Sequence, residues 1–187
     1  MANKDSAFGL RAIGKVGQNR DNQGLSEYDI AASASAIYQN DTVELAATGK
    51  INVAAATDTL LGSLTGVFFT DASTSKPTFA NHLKASNTAT DIKGVVSDDP
   101  YERFEIQSDD ATAAADVGLN ADIVYEAGSS PNYVSKVELD HSDLKTATAQ
   151  LRVLGISKDI ENNEAGSANV NLVVMINEHF LKGTTGI

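Results

Sequence analysis

Three kinds of residue in this chain could do chemistry: its histidines, its paired carboxylates and its serines. The histidines are His82, His141 and His179, each alone among dissimilar neighbours. A metal site needs several ligands at one point, and nothing in this spacing asks for that. Asp98 with Asp99, Asp109 with Asp110, and Asp140 with Asp143 are paired acids, the groups a glycosidase or a calcium site would use. No loop has the Asp-x-Asp-x-Asp-Gly order of an EF-hand, and no aromatic cluster marks a sugar platform. As helix caps and turn formers these acids need no ligand. Ser108, Ser129 and Ser142 lack the tight glycine-flanked turn of an activated nucleophile. Gly14 and Gly17 follow no strand signal, so they do not read as a phosphate loop. The chain therefore reads as a non-enzyme, with no catalytic residue, no metal and no cofactor.

Charge narrows the partners. Lys and Arg number 14 against 25 Asp and Glu, a formal net charge of −11. Such a surface repels phosphate backbones, so nucleic acid is not an expected partner. There is no cysteine, and the fold must stand without disulfides or thiolate-bound metal. The first residues lack the apolar run of a signal peptide, and no stretch approaches the roughly 18 apolar residues of a membrane span. The expectation is a chain without membrane contact, made or assembled in a cytoplasm.

The elements that position these residues are short strands. From Tyr28 onward, alternating apolar segments recur with turn signals between them, the mark of an antiparallel sandwich or barrel. Strands are expected around 28–32, 42–46, 51–54, 64–70, 78–83 and 92–96. Leu64–Thr70 reads as an interior strand, and the aromatic residues mostly fall at positions that read as core. The stretch from Asp98 to Tyr125 reads as strand, one short helix near 111–117, and strand. Ala111–Ala115 has high helix propensity, and Gly118 suits a left-handed stop. A strand over 133–139 follows, then a hairpin pairing 146–157 with 169–177, whose hydrophobicity places it in mid-sheet.

Residues 1–27 differ in kind from the body at 28–187. Isolated apolar residues sit among glycines there, and Lys4, Arg11, Lys15 and Arg20 outnumber Asp5 and Asp21. This reads as an extended N-terminal arm, basic where the body is acidic. Phe8, Leu10, Arg11, Ile13, Lys15 and Arg20 are its candidate partner-binding residues. On that reading, removing residues 1 to 24 leaves the body folded.

Several segments, taken in order over nearly the whole chain, resemble a family of tailed-bacteriophage virion proteins that decorate or cement the capsid. They begin with Asp5-Ser-Ala-Phe-Gly-Leu-Arg11 and Tyr28-Asp-Ile-Ala, then Gly66-Val-Phe-Phe, Asp98-Asp-Pro100 and Phe104-Glu-Ile-Gln107. Ala115-Asp-Val-Gly-Leu-Asn-Ala-Asp122, Glu138-Leu-Asp140, Thr148-Ala-Gln-Leu-Arg-Val-Leu154 and Val173-Val-Met-Ile-Asn-Glu-His179 complete the series. The resemblance implies a β-rich structural protein on the capsid exterior of a virion. It would stabilise the capsid by tying neighbouring capsomers together, with the major capsid protein and other copies of itself as partners. A phage tail, fibre or baseplate component is the alternative reading, and a carbohydrate-binding module a second.

Overall fold

Side chains that alternate between buried and exposed at every second position organise this protein into short strands. The computed structural model describes residues 2–17, 25–32 and 34–183. In chain order the strands are β1 (Arg11–Lys15), β2 (Leu25–Asp29), β3 (Thr42–Leu45), β4 (Ile51–Val53), β5 (Gly62–Thr70), β6 (Pro77–Ala80) and β7 (Lys93–Ser97). They continue as β8 (Glu102–Gln107), β9 (Asn120–Ala121), β10 (Ile123–Val124), β11 (Glu138–Leu139), β12 (Leu151–Ile156) and β13 (Asn171–Ile176).

A first sheet has the order β1-β8-β13-β12-β9, and a second the order β2-β7-β5-β3-β4 with β6 also on β5. Every ladder between neighbouring strands is antiparallel. Neither sheet closes on itself as a ladder, so the sandwich rather than the barrel fits. In the second sheet one isolated bridge, Ile30 to Ile51, joins the two ends of the strand order, so that sheet curls strongly. Gly94 lies at the inside of the curl. A Cβ there would come within 2.7 Å of Ile51 Cδ1.

Each sheet has its own apolar cluster. Phe104, Ile106, Leu151, Val174 and Ile176 form the first, under the β10–β11 ribbon that adds Ile123 and Leu139. Ile37, Ile51, Leu64, Val67, Leu83 and Val96 are in the second. Leu60 belongs to the first cluster and its neighbour Leu61 to the second. Successive side chains on extended backbone point opposite ways, so the chain there runs as a wall between two cores.

The expected hairpin is present: β12 pairs β13 antiparallel, with Leu151 opposite Ile176 and Val153 opposite Val174, and β13 sits at mid-sheet. The expected helix is not. Residues 111–117 hold only a 3-10 turn over Ala114–Asp116. Thr112 is fully buried with its hydroxyl 2.8 Å from that of Ser108, and Gly118 N–H donates to the Val153 carbonyl. These tethers hold both ends of the alanine run and override its weak helical preference. Near residue 122 the chain also breaks into two strands where one is expected. The Asp122 N–H donates to Asp143 Oδ2, and its carboxylate accepts from Gln150 N–H, so the residue leaves the first sheet and starts the ribbon. The strand expected over 133–139 shortens to Glu138–Leu139.

The register of β12 gives a sharp test. Leu151 has no exposed surface and Leu154 is 36% exposed. Leu151→Ala is expected to cost about 2–5 kcal/mol and Leu154→Ala less than about 1 kcal/mol, read from urea midpoints. A larger loss at Leu154 than at Leu151 would place the strand one residue out of register.

Candidate partner-binding surface

The N-terminal segment lies on the body, held by side-chain amides that stand in for strand partners. Lys4 N–H donates to Asn162 Oδ1 at 2.8 Å, and Asn162 Nδ2 returns a bond to the Lys4 carbonyl at 2.8 Å. Gln107 repeats the device, its Oε1 accepting from Ser6 N–H at 2.9 Å and its Nε2 donating to the Lys4 carbonyl at 3.0 Å. Both amides are buried, Gln107 wholly so. Further along, Asn40 Nδ2 donates to the Phe8 carbonyl, and Leu10 N–H donates to the Asn40 carbonyl at 2.8 Å. Ser63 Oγ of β5 donates to the Leu10 carbonyl at 2.5 Å. The segment thus joins the second sheet just before it becomes β1 of the first. Gly9 makes the crossing possible. Its φ is +75°, and a Cβ there would fall 2.7 Å from Ser135 Oγ and closer still to the Asn40 carbonyl oxygen.

The six candidate residues therefore have different fates. Leu10 is fully buried in the first cluster, so it is a core residue and not a partner contact. The Arg11 guanidinium stacks 4.6 Å over the Phe8 ring and pairs with Glu105, which also accepts from Ser157 Oγ. Lys15 pairs with Asp99, and its side chain is only 8% exposed. Two of the three candidate cations are thus already paired within the molecule, Lys15 buried and Arg11 half exposed. Arg20 lies outside the described residues. Ile13 faces out, 48% exposed, at a bulge where β1 shifts register against β8. Two neighbours that spacing did not single out join it. Val16 N–H donates to the Tyr101 carbonyl, and both of their side chains are more than half exposed. Among the described residues β8 alone pairs with β1, whose other edge is open, with Ile13 on the strand and Val16 just past its end next to Tyr101.

The paired acids act as turn and cap groups. Asp98 Oδ2 accepts from the Tyr28 hydroxyl at 2.6 Å, and Asp99 Oδ1 from Tyr101 N–H at 2.8 Å. Asp109 accepts from His141 N–H, Asp110 from Ala111 N–H, and Asp140 from the Ser142 hydroxyl. Asp143 holds Lys145 Nζ at 2.7 Å, and this ammonium together with the hydrogen bonds keeps its carboxyl below the usual range despite burial. Among the described residues, no three His, Cys, Asp or Glu side chains converge as metal ligands would. His179 is 2% exposed, and burial pushes its imidazole down to about 4, so it is neutral at ordinary pH.

One constellation escaped the sequence because its members are far apart in the chain. His82 and Tyr133 stack with centroids 3.8 Å apart and planes within 4°, and Tyr38 lies nearly parallel at about 6.4 Å from Tyr133. Gln39 N–H donates to the Tyr133 carbonyl and Asn81 Nδ2 to that of Asn132, so the rings staple three loops together. Two of the ring faces are used against each other.

No family model matches the chain, and no curated protein and no solved structure is significantly similar to it.

Where the crossing segment meets the second sheet, Asp41 is fully buried. Burial pushes its carboxyl up to about 6, although Tyr38 N–H donates to it at 2.7 Å. Burial, reinforced by Asp5, Asp109 and Glu126, pushes Glu138 up to about 7. A carboxyl whose pKa is raised in the fold keeps its proton there after the unfolded chain has lost it. Such a group stabilises the fold at low pH and loses that contribution as pH rises through the folded pKa.

Two outcomes follow from this geometry. Gly9→Ala, through its clash with Asn40 and Ser135, and more severely the removal of residues 1 to 24, which takes Leu10 from the core and β1 from one side of β8, is expected to destabilise the body by at least about 2 kcal/mol in urea. An unchanged midpoint would return the segment to the status of a detachable arm. The second concerns pH: between pH 4 and pH 7 Asp41 should contribute a falling slope of up to about 3 kcal/mol, opposed by His179, whose depressed pKa favours the fold as pH rises through the same window. Asp41→Asn should flatten that slope and raise the midpoint at pH 8, whereas parallel profiles for the two proteins would clear Asp41.

Proposed function

We propose that this chain is a structural protein of a tailed-phage virion that binds the outer surface of the capsid and cements neighbouring capsomers. The observation that carries the reading is the open edge of β1, with Ile13, Val16 and Tyr101 exposed on an otherwise acidic, strand-built body. Short exposed edges are where sheets accept further strands, and a bulge such as that at Ile13 keeps the edge from pairing indiscriminately. The partner is the major capsid protein, with other copies of this chain alongside. Repetition on a symmetric lattice lets a contact of modest area hold, since each capsomer presents it many times. The sequence resemblance points the same way, and a net charge of −11 turns the body away from packaged DNA. No catalytic role is assigned.

A tail, fibre or baseplate role would use the same surface. Copy number separates the two: hundreds of chains per particle for a capsid cement, few for a tail component. The carbohydrate-binding reading has the ring cluster of Tyr38, His82 and Tyr133 in its favour, but a ring face engaged by another ring is closed to a sugar.

Ile13→Asp combined with Val16→Asp tests the edge. Both side chains are about half exposed, so the thermal midpoint should stay within roughly 2 °C. Cosedimentation with empty capsids of the phage that encodes the protein should weaken by about tenfold or more. Undiminished occupancy would remove the edge from the interface.

A further inference from the structure

The outward face of the second sheet carries a row of side chains that nothing among the described residues covers. Asp29, Lys93, Phe68 and Phe79 are successive cross-strand partners on β2, β7, β5 and β6, so they stand on one face. Leu64 and Val67 of β5 point inward with no exposure, whereas Phe68 is 41% and Phe79 68% exposed. The Phe79 ring is not loosely placed. Phe79 lies over Gly66, where a Cβ would come within 2.8 Å of its Cζ. Covering a strand glycine accounts for one face of that ring; the other is bare. The hairpin itself is stiff. Asp71 Oδ1 accepts from the N–H groups of Ser73 and Thr74 at 3.0 and 2.8 Å and from both of their hydroxyls. Asp71 N–H donates to the Lys76 carbonyl at 3.0 Å. Beyond β6 the sheet ends, leaving a second open edge.

The rim of this face is more acidic than basic, with Asp71, Asp91, Asp29 and Glu27 set against the exposed Lys76 of the hairpin. Asp91 accepts from the backbone and hydroxyl of Thr70 at 3.0 and 2.7 Å, and those bonds hold its carboxyl below the usual range. Asp29 is held low by Lys93, whose ammonium it engages at 2.5 Å, and Glu27 stands exposed two residues along β2. The one lysine in the row is thus already neutralised. A second copy would set a net charge of −11 against its like, which opposes self-association. A segment alternating Arg or Lys with apolar residues meets every feature: cations over phenyl faces and beside carboxylates, apolar side chains against the rings, backbone along the β6 edge.

We infer that the Phe68–Phe79 face is a second docking surface, and that its occupant is a basic, strand-forming segment of another protein. The identity of that protein as a capsid component rests on the reading above. A cement must grip two neighbours, and the β1 edge and this face belong to different sheets. Because the hairpin is already ordered, little conformational entropy is lost when it docks.

Phe68→Thr with Phe79→Thr removes both rings and keeps strand propensity, so the fold should persist. The first arm titrates the isotope-labelled full chain with a synthetic peptide alternating Arg and Leu, followed by NMR. A Glu–Leu peptide is the control. Shift changes should concentrate at 66–70, 77–80 and 93–95, and the double variant should bind at least about tenfold more weakly. Changes spread evenly over the acidic surface, or an affinity unmoved by the double variant, overturn the inference. The second arm uses empty capsids. A double variant that coats them like the wild type overturns the surface and leaves the capsid reading standing. A wild-type chain that ignores capsids overturns the capsid reading, while the peptide titration still decides the surface. Sedimentation equilibrium that finds a dimer abolished by the double variant assigns the face to a second copy and overturns the basic partner.

Discussion

The fold depends on one crossing: the passage of Phe8–Leu10 between the two sheets. There the Leu10 N–H and C=O groups are taken by Asn40 and Ser63, which precede β3 and lie on β5, while the Leu10 side chain enters the core of the opposite sheet. Two sheets with separate apolar clusters have little reason to hold a fixed relation unless backbone polar groups between them are satisfied. The crossing supplies that satisfaction at a position deep enough to exclude water. Glycine at position 9 is a steric requirement of the crossing, since both a positive φ and the approach of Ser135 and Asn40 forbid a side chain.

The same seam concentrates unfavourable electrostatics. Asp41 is buried beside it, and Asp5 of the crossing segment lies near enough to Glu138 to raise its pKa. A chain carrying −11 has limited freedom to place its acids, and this one uses several of them as turn and cap groups with their own donors. Those left at the seam are held in place by the packing on either side of it. Arg11 and Lys15 offset part of the burden by pairing with Glu105 and Asp99. Two cations of an N-terminal segment that is basic in sequence are thereby engaged within the molecule, which leaves the apolar residues Ile13 and Val16 as its exposed feature.

Period-2 alternation made β12 and β13 legible because each carries its pattern within one run and the two are consecutive strands that pair with each other. The segment 3–10 was not legible for the opposite reason: its partners, Gln107 and Asn162, lie roughly a hundred residues or more away and are polar. A buried glutamine that mimics a peptide group leaves no trace in a hydrophobic pattern. The alanine run at 111–115 misled because propensity is a small local term, and the tethers at Thr112 and Gly118 belong to the tertiary structure. Phe68 and Phe79 misled in another way. β5 is an interior strand in the sheet, as the sequence reading expected, yet interior to a sheet does not mean covered on both faces. Aromatic residues on the bare face of a central strand look like core until the second layer is known to be absent.

The two surfaces differ in how a partner would find them. The β1 edge is a strand already fixed by β8 on one side, and its bulge at Ile13 disrupts the regular pairing that an arbitrary strand would need. Recognition there must come from complementary shape around the bulge. The Phe68–Phe79 face is a row of regularly paired strands, and its selectivity would come from the carboxylates set around two rings. A contact chosen by shape and a contact chosen by charge respond differently to salt, since screening weakens the second far more than the first. On a lattice that must assemble and then persist, the charged face would speed encounter and the edge would prolong residence. If the protein cements, raising ionic strength should slow its loading onto capsids more than it hastens its release. That division of labour follows from which residues the fold leaves exposed.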